Sequence, residues 1–300
     1  MNPQPPTLDE LQSIADSLRG ANLRARSQVD MEVQLDRMIH SHEHFGITRS
    51  VGQTWYRARP APYIHGFSNI SELIHRKDGS PTYGRASLPN QPVLYASWNL
   101  LTALEEVRSE PGQFIQLISL RVRNGMEFPC DVLGECHSVF HSGGSLINSR
   151  SLEQGIRHWM GQPGARVFEN VFVDAFLSEE FSRRAEYHTE YKLTATYAQR
   201  MLQRKRGLMF PSVQAHQNIN LAIAASDFLA NFEVMGSLLV QIKQYAGYGL
   251  FTYLPIKQTH TLDKAGNFVW DPSSDISYET GRFGGTILDP LREGWRASDA

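Results

Sequence analysis

Residues 83–108, YGRASLPNQPVLYASWNLLTALEEVR, decide how this chain is read. A Gly84-Arg85 turn opens the stretch. Gln91 to Ser97 then reads as a short apolar strand. Ser97 is placed to cap a helix over 98–110, which stops before Pro111. On that helix Leu100, Leu104 and Val107 form the apolar stripe, and Glu105 and Glu106 flank it. Two other fragments echo this one. Upstream is Trp55-Tyr-Arg-Ala-Arg59, in which Arg57 and Arg59 share one strand face. Downstream is Gly207-Leu-Met-Phe-Pro-Ser-Val213, followed by Asn220. An early arginine, a mid-chain glutamate and a late serine thus each sit in their own local frame.

Working outward, Thr7-Leu-Asp-Glu10 is a capping box for a helix with Leu11, Ile14, Ala15 and Leu18 at helical spacing, stopped at Gly20. A second helix is predicted over 28–40, with Val29, Val33 or Met31, Leu35, Met38 and Ile39 as apolar positions. Residues 51–60 read as a strand ending at Pro60. Residues 61–90 form a long loop with a short helix at 69–76. Gln113 to Val122 alternates as a strand. Residues 124–166 read as an irregular insertion with a helix-like piece at 151–160. Tyr187, Tyr191, Thr194, Ala198 and Met201 step as one helix face, with a basic end at Arg200, Arg204, Lys205 and Arg206 that complements the helix terminus. Leu208 to Val213 is a strand. Two hairpins turn near Gly247-Tyr-Gly249 and Ala265-Gly-Asn267. The predicted organisation is an N-terminal helical extension over 1–50, a mixed α+β domain over 51–285 and a polar tail over 286–300.

Bulk composition narrows the class. Of 300 residues, 41% are hydrophobic and 20% charged, which fits a globular protein with a sizeable core. Twenty-nine basic and 31 acidic residues leave a net charge of −2, so no global attraction to nucleic acid or membrane is expected. Apolar runs such as 236–242 are too short to span a bilayer. The start, Met-Asn-Pro-Gln-Pro-Pro, has neither a basic nor an apolar leader pattern, and Cys130 and Cys136 are too few for a disulfide framework. The expectation is a protein that works in the cytoplasm. His40, His42 and His44 alternate, but no further ligand follows at a familiar interval, so no metal is expected. There is no Gly-x-Ser-x-Gly elbow. Gly143-Gly144 lacks the strand–helix frame of a dinucleotide fingerprint.

Taken together, the three fragments resemble the RES-domain family, named for those three residues. Tyr56-Arg57-Ala58-Arg59 is similar to the family's opening (F/Y)R-x-R strand. Gly84-Arg85, Pro92-Val-Leu-Tyr95 and Thr102-Ala-Leu-Glu-Glu-Val107 look like its second block, in which Glu106, three after Ala103, is the family glutamate. Tyr191, Thr194, Phe210-Pro-Ser212 and Asn220 look like its third. The motifs run from about 55 to 221. Two departures stand out: Ala86-Ser87 replaces the family's aromatic-Asn pair, with Asn90 as a substitute amide, and the 124–166 insertion is longer than in compact members.

The resemblance implies a sheet core similar to ADP-ribosyltransferases and an activity that consumes NAD as substrate, with no resident cofactor. Members cleave the nicotinamide–ribose bond by hydrolysis, phosphorolysis or ADP-ribosyl transfer, some as toxins beside an Xre-type antitoxin. By that likeness Glu106, Arg57 and Ser212 are the catalytic candidates. Arg57, Arg59, Arg85, Tyr95, Ser212 and Asn220 are the candidates for NAD binding. The chemistry agrees with the residue types. A carboxylate stabilises a ribosyl cation, arginine forks hold a pyrophosphate and an aromatic face stacks on a ring. Partners implied are NAD and an antitoxin or protein target. The other reading is a RES-like core that is catalytically inactive and serves as a binding module, for which the Ala86-Ser87 departure speaks.

Overall fold

The computed structural model describes residues 4–19, 23, 26–40, 42–49, 52–213 and 218–271, and the backbone of 279–281. In chain order its elements are α1 (Leu8–Leu18), α2 (Gln28–Ile39), β1 (Gly46–Arg49), β2 (Trp55–Ala61), β3 (Val93–Ser97), α3 (Leu100–Glu106), β4 (Phe114–Val122) and β5 (Phe128–Val132). There follow α4 (Glu135–Ser142), α5 (Arg150–Met160), α6 (Val167–Ser182), α7 (Lys192–Leu202), β6 (Gly207–Pro211), β7 (Ile219–Ala224), α8 (Ala225–Asn231), β8 (Phe232–Tyr245), β9 (Phe251–Thr259) and β10 (Glu279–Gly281). Short 3-10 turns cover Ile70–Glu72 and His188–Tyr191.

Among the described residues ten strands form one mixed sheet in the order β1-β5-β6-β7-β3-β2-β4-β8-β9-β10. The β5–β6 pair is parallel and the other pairs are antiparallel. The fold is therefore α+β, with helices α1 and α2 ahead of the sheet. Strand β2 is the pivot. Along one edge it pairs over its whole length with β4, from Trp55↔Leu120 to Ala61↔Phe114. Along the other edge it meets β3 at a single position, Tyr56↔Ser97. Beyond that point the two halves of the sheet part.

The N-terminal helices form as their sequence dictates. Thr7 and Glu10 close the capping box on α1, and Leu11, Ile14, Ala15 and Leu18 are buried. Gly20, read as the stop, lies outside the described residues. Ser27 caps α2, whose buried positions are Met31, Leu35 and Met38, while Val29 and Val33 face solvent. Both helices bury these faces in a cluster with α6, α7 and the β6–β7 part of the sheet. A second cluster lies around Trp55, Phe128 and Phe232, and a third joins α3 to β2, β4, β8 and β9.

The structure corrects several sequence readings. Residues 124–166 are not irregular: they hold β5, α4 and α5, and β5 joins β1 to β6. Proline and short length had hidden β5, because Pro129 sits in it. The helix after β3 is shorter than 98–110. It starts at an Asn99 cap, which accepts from the Thr102 N–H, and it ends at Glu106. Arg108 then takes the left-handed conformation, and the Ser109 N–H and hydroxyl both donate to the Leu104 carbonyl. Ser97 is thus the last residue of β3 rather than a cap. Strand β2 runs through Pro60 to Ala61. Tyr187 lies before α7 and is exposed. Strand β4 is buried on both faces, so even Gln116 is inside. The 247–249 turn does close a hairpin, between β8 and β9. Residues 286–300 lie outside the described part.

Candidate active site

The parting of β2 from β3 makes a cavity of about 270 Å³. Its floor is one cross-strand row, set by register: Tyr56 of β2, Ser97 of β3, Asn220 of β7 and Phe210 of β6 are successive partners. Its walls are Arg57 and Ala58 from β2, Tyr95 and Ala96 from β3, Arg85 from the preceding turn, and Ala103, Glu106 and Val107 from the last turns of α3. Two arginines therefore face one carboxylate.

Glu106 is held from below. Its Oε1 accepts from Ser212 Oγ at 2.5 Å and from Asn220 Nδ2 at 2.7 Å. Arg85 Nη1 lies 3.9 Å from Oε2. Ser212 and Asn220 thus reach this carboxylate from more than a hundred residues along the chain. Their frames are also tied together. The Ser212 N–H donates to the Asn218 carbonyl, and Asn99, which caps α3, donates its side-chain amide to Asn218 Oδ1. Neighbouring Glu105 points elsewhere: it is buried beside Tyr245, whose hydroxyl donates to Oε1, and it does not line the cavity.

The arginines have different fates. Arg85 lies over the Tyr191 ring at 5.4 Å, and Nη2 donates to the Tyr191 hydroxyl at 3.4 Å. Its Nε is buried without a hydrogen-bond partner among the described residues. Arg57 is half-buried. It donates from Nε to the Leu73 carbonyl at 2.7 Å and from Nη1 to the Tyr95 carbonyl at 3.0 Å. The second bond serves a β3 carbonyl at the point where the ladder to β2 has ended. Burial, with Arg59 close by, lowers the Arg57 pKa to about 10, so it stays charged at neutral pH. Arg59, two residues on, does not line the cavity. It donates to the Glu72 carbonyl and lies over the Phe67 ring at 5.1 Å, fastening the 62–90 loop.

Tyr95 presents its ring to the cavity while its hydroxyl is engaged in the motif turn. It accepts from the Ala86 N–H at 2.8 Å and donates to Ser87 Oγ at 3.1 Å. Burial raises its pKa. Gly84 is required here, since a Cβ would come within 2.6 Å of Ser87 Oγ and 2.9 Å of the Tyr95 hydroxyl. The Ala86-Ser87 departure thus has a structural account: Ala86 is in the core and Ser87 holds the tyrosine. Asn90 is exposed in a turn at φ 62° and does not line the cavity.

Of the residues that line the site, Ser97 was the one misread. Both Ser97 and Asn99 are good caps, so local sequence did not choose between them. The period of a strand, which puts Ser97 on the face of Tyr95, carried the better signal.

The remaining motifs are engaged elsewhere. His42 Nε2 lies 3.8 Å from Asp174, and His44 packs edge-on against His42. Among the described residues, no group of three or more His, Cys, Asp or Glu is placed to hold a metal ion. Cys130 and Cys136 are buried free thiols, each pushed up to about 12 by burial. Arg200 pairs with Glu32 and Asp36, and Arg206 with Asp131. A larger groove, about 590 Å³, lies between β1 and α5 but holds no carboxylate. Among the described residues no helix is long and apolar enough to cross a membrane.

Neither a curated protein nor a solved structure matches the chain. A family model does: the RES domain matches residues 54–240, more than half of the chain, from the residue before β2 into the middle of β8. That span contains every strand and side chain of the cavity, and the chain belongs to the RES-domain family.

Proposed function

We propose that the protein cleaves the nicotinamide–ribose bond of NAD, with water, phosphate or a protein side chain as acceptor, and that it acts as a growth-inhibiting toxin or effector in a cytosol. The observation that carries this reading is Glu106, a cavity-facing carboxylate gripped by two side-chain donors and flanked by Arg85. The bond between nicotinamide nitrogen and ribose C1′ breaks with its electron pair on the nitrogen. Nicotinamide leaves neutral, so no general acid is needed. Positive charge develops on C1′ and the ring oxygen, and a fixed carboxylate beside them lowers that barrier. The acceptor oxygen bonds C1′ and gives its proton to solvent or to Glu106.

Arg57 and Arg85 would hold the pyrophosphate. Arginine suits that task through its bidentate fork, and the buried Nε of Arg85 is a donor still to be used. Arg59 is dropped from this role because it is turned to the 62–90 loop. The Tyr95 ring would stack on nicotinamide. Ser212 and Asn220 act through Glu106 by fixing its oxygen. NAD is consumed in this reading and is not a resident cofactor. A core akin to ADP-ribosyltransferases and an Xre-type antitoxin as partner belong to the same proposal.

The test is incubation of purified protein with NAD, with and without phosphate and cell lysate, following nicotinamide release by chromatography. Release by the wild type and its loss in folded Glu106→Ala support the reading. Full release by folded Glu106→Ala removes Glu106 from the mechanism. No release by folded wild type under any of these conditions turns the reading to a binding module.

A further inference from the structure

Ser97 does not hydrogen-bond Glu106 directly but stands one bond behind it. Its hydroxyl donates to Asn220 Oδ1 at 2.8 Å, and Asn220 Nδ2 donates to Glu106 Oε1 at 2.7 Å. Ser97 and Asn220 are 4% exposed each and are directly opposite one another across β3 and β7. Ser97 is also the single residue of β3 that pairs with β2, so its backbone is held from both sides. An ionised carboxylate only accepts hydrogen bonds, so Asn220 must turn its NH₂ toward Glu106 and its oxygen away. That oxygen then needs a donor in a buried place, and the Ser97 hydroxyl supplies it.

We infer that Ser97 is a positioning residue for the reaction: through Asn220 it fixes the orientation of the Glu106 carboxylate. The inference rests on the proposed role of Glu106. Without the Ser97 hydroxyl the Asn220 side chain loses the bond that opposes its rotation, and Glu106 Oε1 is left with Ser212 as its one firm donor. Glu106 acts on charge that develops in the transition state, so the loss falls mainly on kcat.

The experiment is a double-mutant cycle on nicotinamide release from NAD, with kcat and KM measured for Ser97→Ala, Asn220→Ala and the double variant, each checked for folding by circular dichroism. Ser97→Ala should lower kcat about tenfold with KM within about twofold, and should add nothing in the Asn220→Ala background, as coupled neighbours do. Ser97→Thr and Ser97→Val, alike in β-branched shape and differing in one hydroxyl, isolate that hydroxyl if the alanine variant does not fold. The threonine variant should turn over about tenfold faster than the valine one. Equal kcat for those two, or a Ser97→Ala loss that persists in full without Asn220, overturns the inference. Glu106→Ala measured alongside separates the two readings. If it is inactive while Ser97→Ala and Ser97→Val keep wild-type kcat, only the Ser97 inference fails. If it is fully active, the proposed role of Glu106 fails and that of Ser97 with it.

Discussion

The two edges of strand β2 show how one element serves stability on one side and a site on the other. Toward β4 every residue from Trp55 to Ala61 has a partner. Toward β3 there is one, Tyr56↔Ser97. The closed edge continues into β8, and its buried Gln116 is satisfied internally: it accepts from the Phe67 N–H at 2.6 Å and donates to Ser237 at 3.0 Å. At the open edge side chains take over from the ladder. Arg57 bonds the Tyr95 carbonyl, and Ser212 and Asn220 both donate to Glu106 beside a cavity. A ladder bonds backbone to backbone and leaves no room for a ligand. An open seam exposes donors and acceptors, so it needs side chains to satisfy them, and those side chains are the ones available to a substrate.

The strongest way to break this comparison is Glu106→Gln. It should reduce nicotinamide release about a hundredfold or more while thermal unfolding moves little, because the amide keeps the shape of the carboxylate and loses its charge. Loss of both activity and fold would put Glu106 with the closed edge instead. Next is Arg57→Ala, which should act on both counts. The carbonyls of Leu73 and Tyr95 lose their donor, costing about 2–3 kcal/mol in urea unfolding, and KM for NAD should rise about tenfold or more.

Gln116→Ala is the closed-edge counterpart. Stability should fall by about 1–3 kcal/mol, with kcat/KM of the folded protein within about twofold of wild type. A change in kcat would mean that the two edges are coupled. A pH series probes a region apart from both. Burial, with His42, Arg204 and Arg206 close by, lowers the His44 pKa from 6.5 to about 3. The unfolded chain then binds a proton that the fold does not between those values. Stability from this group is complete above pH 6.5 and is lost on acidification toward pH 3, by about 1 kcal/mol per unit. Thermal midpoints from pH 7 to 5 should fall, and His44→Gln should flatten the fall. The smallest effect is Arg59→Ala, under about 1 kcal/mol in stability and under about twofold in KM, since its guanidinium serves Phe67 and the Glu72 carbonyl.

Much of the fold was legible where one segment carries its own signal. The α1 capping box, the buried stripe of α2, the β8–β9 turn and the strand–helix unit around Glu106 are local patterns. Val29 and Val33 show the limit: apolar residues at helical spacing that face solvent. Strand β5 was illegible because its five residues include a proline and gain their stability from β1 and β6. Ser97 was misread because capping is a local criterion, whereas its hydroxyl bonds a residue 123 positions away.

The sequence by itself determined the motif blocks and their order, and the resemblance those blocks carry picks out Arg57, Arg85, Tyr95, Glu106, Ser212 and Asn220 as candidates. Only the tertiary structure decided which of them meet. It separated Glu106 from Glu105, one facing the cavity and one beneath Tyr245. It separated Arg57 from Arg59, though both lie on one strand face. It brought Ser97 behind Asn220. The physical reason is register: residue spacing sets which face a side chain takes, but its neighbours across the sheet depend on the pairing of strands far apart in sequence, and here also on where β2 and β3 stop pairing.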